Sequence, residues 1–174
     1  IKNIVEVFNS GKTNLNCIDT SKITDMSNLF DSGNYNKSLD NIDISKWNVS
    51  NVKYMQFMFD GYENFNCDLS NWDVSKVENM KGIFSWCIKF NCDLSKWDVS
   101  NVTNMDFMFD NCNKFDCDLS KWDVSNVLNM ICMFGNCKNF KGIGLDNWNV
   151  SKVEHMHYMF NGCTSLINTP SWYK

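Results

Sequence analysis

Nine cysteines are the residues of this chain most able to do chemistry, and seven of them fall on two ladders. Cys67, Cys92 and Cys117 form one ladder; Cys87, Cys112, Cys137 and Cys163 form the other; Cys17 and Cys132 stand outside both. Thiols repeated at such a fixed interval could pair as disulfides if their backbones stack within the ~4.4–6.8 Å the bond can span. A metal site would need ligands converging on one point, and no C-x-x-C pair occurs. The simpler reading makes each cysteine a small buried apolar filler at a fixed slot. Free thiols would in turn point to assembly in a reducing compartment.

Carboxylates are the second set. Asp73, Asp98 and Asp123 each sit between a Trp and a Val, and Asn48 and Asn149 take that slot at the ends. Asp43, Asp68, Asp93 and Asp118 form another row, four residues before each Trp. Stacked carboxylates could hold calcium or act as an acid/base pair. Yet Lys46, Lys96 and Lys121 precede the tryptophans within diagonal reach, so a solvated face of cross-repeat ion pairs is expected instead. Ser50, Ser75, Ser100, Ser125 and Ser151 recur as well, but a serine nucleophile needs a base. The histidines, His155 and His157, both lie in the last repeat, where they read as surface residues. No catalytic residue, no metal site and no cofactor is assigned. Trp86 differs, because the matching positions hold Gly61, Asn111 and Asn136. An aromatic outside the pattern is a candidate interface residue.

These residues are positioned by repetition. Trp47, Trp72, Trp97, Trp122 and Trp148 follow one another at intervals of 25, 25, 25 and 26 residues. Around each runs W-[DN]-V-S-[NK]-V-x-x-M-x-x-[MI]-F, followed by Cys or Tyr, then Phe, then C-D-L-S. A degenerate copy, "IDTSKITDMSNLF", puts Ile18 in the Trp slot, and "DSGNYNKS" reads as a loop inserted before Trp47. "KGIGLDNW" replaces "CDLSKW" before Trp148, adding a residue and two glycines that suggest a bulge.

Within a repeat the apolar spacing changes partway. Leu69, Trp72 and Val74 read as a short extended piece, with Trp and Val two apart on one face. Val77, Met80, Ile83, Phe84, Cys87 and Phe90 step by three and four, the period of a helix. Ser75 before Glu78 and Ser151 before Glu154 read as capping boxes at helix starts. The spacing therefore predicts an α/β repeat: a right-handed solenoid with one short strand and one short helix per 25-residue coil. One coil buries too little to fold alone, so neighbours must complete its core. The chain divides as a single domain, 1–174. Residues 1–17 form an N-terminal cap, 18–46 a degenerate coil with its insertion, 47–147 four full coils, and 148–174 the last coil with a C-terminal cap where Pro170 blunts the edge.

Composition narrows the function classes. Hydrophobic residues at 44% supply a core, which excludes disorder. A net charge of −4 with no arginine argues against a nucleic-acid surface, which needs a basic stripe. No apolar run reaches the ~18 residues of a membrane span. The chain begins at Ile1 with no signal peptide, which reads as a processed product or a fragment.

The phrase W-D-V-S-[NK]-V-x-N-M-x-x-M-F followed by F-N-C-D-L-S, over residues 18 to 172, resembles the 25-residue repeat of surface proteins of mycoplasmas, lactobacilli, listeriae, some protists and large DNA viruses. These are grouped with the BspA-like leucine-rich-repeat proteins. The resemblance implies a leucine-rich-repeat-like solenoid at a cell or virion surface, used in adhesion or attachment, with no catalytic residues in the repeat. The expected function is a non-enzymatic interaction module. Its binding face comprises Asp73, Asp98, Asp123, Lys46, Lys96, Lys121 and Trp86, and its partner is a protein or another host-surface macromolecule. The alternative is a structural part of a larger assembly, such as a virion or envelope coat.

Overall fold

Each repeat folds as a run of β-turns. The computed structural model describes residues 11–30 and 41–174. In the repeat that contains Met55, the N–H groups of Met58, Tyr62, Phe65, Trp72 and Val77 donate to the carbonyls three residues earlier, at 2.9–3.3 Å. A β-turn brings its first and fourth residues together. Apolar residues at those ends and polar ones at the corners therefore turn a spacing of three inward, as a helix would.

The expected α/β repeat, with a strand and a helix in each leucine-rich-repeat-like coil, is overturned. Among the described residues the one helical element is the 3-10 helix Leu145–Asn147. Pairing is limited to six isolated parallel bridges, five of which link Asp25, Tyr54, Asn79, Asn104, Asn129 and His155 in succession. The physical reason lies in where the amides go. A helix would keep its N–H groups inside the segment. Here Met55, Phe57, Phe59 and Gly61 donate to the carbonyls of Asn79, Lys81, Ile83 and Ser85 in the next repeat, at 2.8–3.0 Å. The same segment places a left-handed residue at every fourth position, with φ of 55° at Phe57 and 79° at Gly61, which a right-handed helix cannot contain.

The capping boxes fail for the same reason. Ser75 donates its N–H and hydroxyl to Asp73 Oδ1, and Glu78 meets Lys53 Nζ at 2.9 Å instead of reaching back to a helix start. The expected cap at 1–17 lies mostly, and the inserted loop "DSGNYNKS" wholly, outside the described residues.

Stacked repeats share one core. Phe59, Phe84, Phe109, Phe134 and Phe160 form a column with ring centroids 5.7 Å apart at every step. Phe65, Phe90, Phe115 and Phe140 form a second column beside it. Offset aromatic pairs contribute ~0.5–1.5 kcal/mol beyond their buried area. The tryptophans Trp47 to Trp148 are buried, and each solves its polar-atom problem the same way. Trp72 Nε1 donates to Ile44 O at 3.2 Å, Trp97 to Leu69 O at 3.0 Å and Trp122 to Leu94 O at 3.0 Å, each reaching into the preceding repeat. Before Trp148, Gly144 (φ 79°) passes so close to the repeat below that a Cβ there would lie 2.4 Å from Ser120 Cβ.

Candidate functional site

Two segments of each repeat face solvent, and they differ in what their side chains are free to do. The first is the turn segment. Asp43, Asp68, Asp73, Asp93, Asp98, Asp118 and Asp123 each accept, through Oδ1, the N–H of the serine two residues on, at 2.9–3.1 Å. At Asp73 and Asp123 the Ser75 and Ser125 hydroxyls first, then the amides, hold the carboxyl below the usual aspartate range. Asp73, Asp98 and Asp123 are exposed, but one oxygen of each is committed to its own turn. Lys46, Lys96 and Lys121 are exposed too, and the ion pairs expected between the two rows do not form. Among the described residues the ion pairs are Lys53–Glu78, Lys81–Asp106 and Lys141–Asp116.

Between neighbouring turn segments runs a shallow groove of about 400 Å³, lined by Cys92, Asp93, Cys117, Asp118 and Lys121 among others, and repeated one step below around Cys67, Asp68 and Lys96. Its thiols act as brackets between repeats. Cys92 Sγ accepts the Leu69 N–H at 3.1 Å and lies 3.7 Å from Asp68 Oδ1; Cys117 does the same with Leu94 and Asp93. Burial, reinforced by the nearby carboxylate, pushes both thiols up to about 11. In the other ladder Cys87, Cys112, Cys137 and Cys163 donate to the carbonyls of Phe59, Phe84, Phe109 and Phe134 at 2.9–3.0 Å. All nine cysteines are free. Among the described residues no cluster of His, Cys, Asp or Glu could hold a metal ion, and no helix is long and apolar enough to cross a membrane.

The second segment is the hydrogen-bonded ladder itself. Its outward positions are less uniform from repeat to repeat than the buried ones. Following Tyr54 come Asn79, Asn104, Asn129 and His155; following Phe57 come Gly82, Phe107, Cys132 and Tyr158. Trp86 belongs to this segment, far along the chain from the Asp and Lys rows it was grouped with. It is 50% exposed, Tyr54 39% and Tyr158 67%. Phe57 lies across Gly82, where a Cβ would stand 2.5 Å from its ring, and Lys81 Nζ is 5.7 Å from the Phe107 ring centroid.

Backbone conformation separates these residues from ordinary surface aromatics. Phe57, Phe107, Cys132 and Tyr158 have φ of 50–57°, and Trp86 has 59°, all left-handed. Gly82 in the first slot, and Gly61, Asn111 and Asn136 in the Trp86 slot, are the residues that adopt this region at little cost. Bulky side chains there cost of order 1–3 kcal/mol. Tyr54, Phe57, Phe107 and Tyr158 were missed by sequence reasoning, although a signal existed. The template positions on either side of its first methionine are the ones left as x, so variation was visible where exposure could not be.

The family described as "Mycoplasma protein of unknown function, DUF285" matches the chain over residues 1–111 and again, overlapping, over 72–173. No curated protein and no solved structure matches it.

Proposed function

The chain belongs to the DUF285 family of Mycoplasma proteins, and from that footing we propose that it is a non-enzymatic interaction module whose varied ladder segment contacts a protein or other macromolecule of a host surface. The observation that carries this reading is the placement of Trp86 and Tyr158, half or more exposed, in left-handed backbone positions where Gly or Asn would cost less. Aromatic residues are enriched among interface anchors because they bring large, rigid contact area. A fold that repeats its interior faithfully and varies one exposed segment suits recognition, since the framework is kept while the contact surface changes. The surface attachment implied by the BspA-like resemblance fits such a role. The Asp73, Asp98 and Asp123 rows with Lys46, Lys96 and Lys121 offer a second, more polar surface on the turn segment.

Fluorescently labelled protein applied to cultured host epithelial cells tests both surfaces. Trp86→Asn installs the residue found at 111 and 136, so the fold should be kept while cell binding falls. Asp73→Asn, Asp98→Asn and Asp123→Asn together install the residue found at 48 and 149, and should leave binding intact. Full binding by the Trp86→Asn/Tyr54→Asn double variant would remove the ladder segment from consideration. Loss on the aspartate triple variant would transfer the site to the turn segment.

A further inference from the structure

We propose that His155 and His157 form a two-imidazole chelate for a divalent transition-metal ion of the nickel, copper or zinc class. Residues two apart in extended backbone share a face. Met156 lies between them and packs inward against the core, so both imidazoles stand on the outward side of the ladder segment. His155 is bridged to Asn129 of the preceding repeat. Its carbonyl accepts the Met130 N–H at 2.7 Å, and the His157 carbonyl accepts the Cys132 N–H at 3.0 Å. Two bonds between repeats thus hold the backbone at both ligands before any ion arrives.

The ring centroids are 6.1 Å apart, with the planes inclined at 41°. An ion about 2.0–2.1 Å from one nitrogen of each ring needs centroids roughly 5 Å apart, a gap that small side-chain rotations close. In earlier repeats the same two slots are already committed. Asn79 and Asn104 spend Oδ1 on the amides of Lys81 and Asp106 at 2.9 Å, and Lys81 in turn faces Asp106. Both histidines of the chain fall on these slots in one repeat, which puts two nitrogen donors where a chelate needs them. The slots stay reachable even with repeats on either side: Asn104, Asn129, Lys81 and Ile131 are half-buried there, and Tyr54 is exposed. Neutral imidazole suits nickel, copper and zinc. Two donors are fewer than the three-ligand cluster that is absent among the described residues, so the remaining positions go to water.

Calorimetric titration of the 174-residue chain with nickel(II) chloride in mildly alkaline buffer tests the site, with the urea midpoint of each variant checking that the fold is kept. The expected result is one ion per chain. His155→Gln or His157→Gln alone should weaken binding on the order of 100-fold, because the second imidazole closes as an intramolecular step. The double variant should be no worse than either single one. An unaltered chain that takes up no nickel would overturn the proposal. Single variants that each keep half the uptake would do so too, since the imidazoles would then act independently. Uptake that persists in the double variant would move the ion to the thiols and equally sink the chelate.

Discussion

Asparagine already performs the aspartate's task in this protein. Asn48 and Asn149 accept the Ser50 and Ser151 amides at 3.1 and 3.2 Å, as Asp73 accepts Ser75. Replacing Asp73, Asp98 or Asp123 by Asn should therefore shift the urea midpoint little. Replacement by Ala leaves a turn amide without its acceptor and should cost about 1 kcal/mol per site, by analogy with lost helix caps. Alanine at these positions is thus not neutral for the fold, because the carboxylate closes its own turn. Charge enters only with pH. Since Asp43, Asp68, Asp73, Asp93, Asp118 and Asp123 titrate below their usual range when folded, their contribution is complete above the unfolded value of about 3.9 and is lost as pH falls through the folded values. An acid titration of the melting temperature should show that decline, and the triple Asn variant should show a shallower one. At Trp97 the test is different. Trp97→Phe keeps a ring in the column but removes the indole donor from the Leu69 carbonyl, which retains the Trp72 N–H at 3.0 Å, so a loss of about 0.5–1.5 kcal/mol is expected in the same urea assay.

At the scale of the element, inward spacing was legible in the sequence and the backbone route was not. Val77, Met80, Ile83, Phe84, Cys87 and Phe90 are all buried, as their periodicity of three and four required. Successive β-turns and a helix give the same inward pattern, and they part company over whether amides such as those of Gly82 and Phe84 bond within the segment or to the next repeat, as they do here to Asp106 and Met108. That choice depends on a neighbour 25 residues away, which local propensity cannot report. The thiols show the same limit: their burial was read correctly at Cys87, Cys112 and Cys137, while the carbonyl each one serves was invisible. Their chemistry follows from it. Native-state alkylation near neutral pH should label exposed Cys17 first and leave Cys87, Cys112 and Cys137 unlabelled until unfolding, as peptide mapping after iodoacetamide would report. Cys92, Cys117 and Cys163, pushed up to about 11, add stability that is whole below the unfolded thiol value of about 8.5 and drains away as pH rises toward the folded one. The melting temperature should therefore fall on the alkaline side as well.

For the whole molecule the period matters more than the length. Excising residues 92–116 removes one full repeat and rejoins matching slots, Asn91 to Cys117. Such a chain should still unfold cooperatively, at a lower temperature, because one inter-repeat interface is gone while the others are unchanged. Excising residues 92–112 instead throws the Phe and Trp columns out of line, and circular dichroism should show no cooperative transition. The Trp interval made this columnar order readable from the start, since a residue that recurs every 25 positions and must be buried can only stack on its own copies. What the interval could not convey was which exposed segment varies. Trp86 stood out in the sequence as an aromatic outside the pattern, whereas Phe57 and Tyr158 became recognisable only once the hydrogen-bonded ladder gave their slots an outward direction and a left-handed backbone.

The near-identity of successive interfaces carries a cost in alignment. A middle repeat meets much the same surface whether it settles beside its true neighbour or beside the next one along, so a chain that slips by a whole period forfeits few contacts while folding. Two irregularities break that degeneracy: the longer stretch before Trp47, and Gly144, whose bare Cα is what lets the chain pass over Ser120. They serve as registration marks for a sequence that otherwise gives its parts few means of telling one position from another.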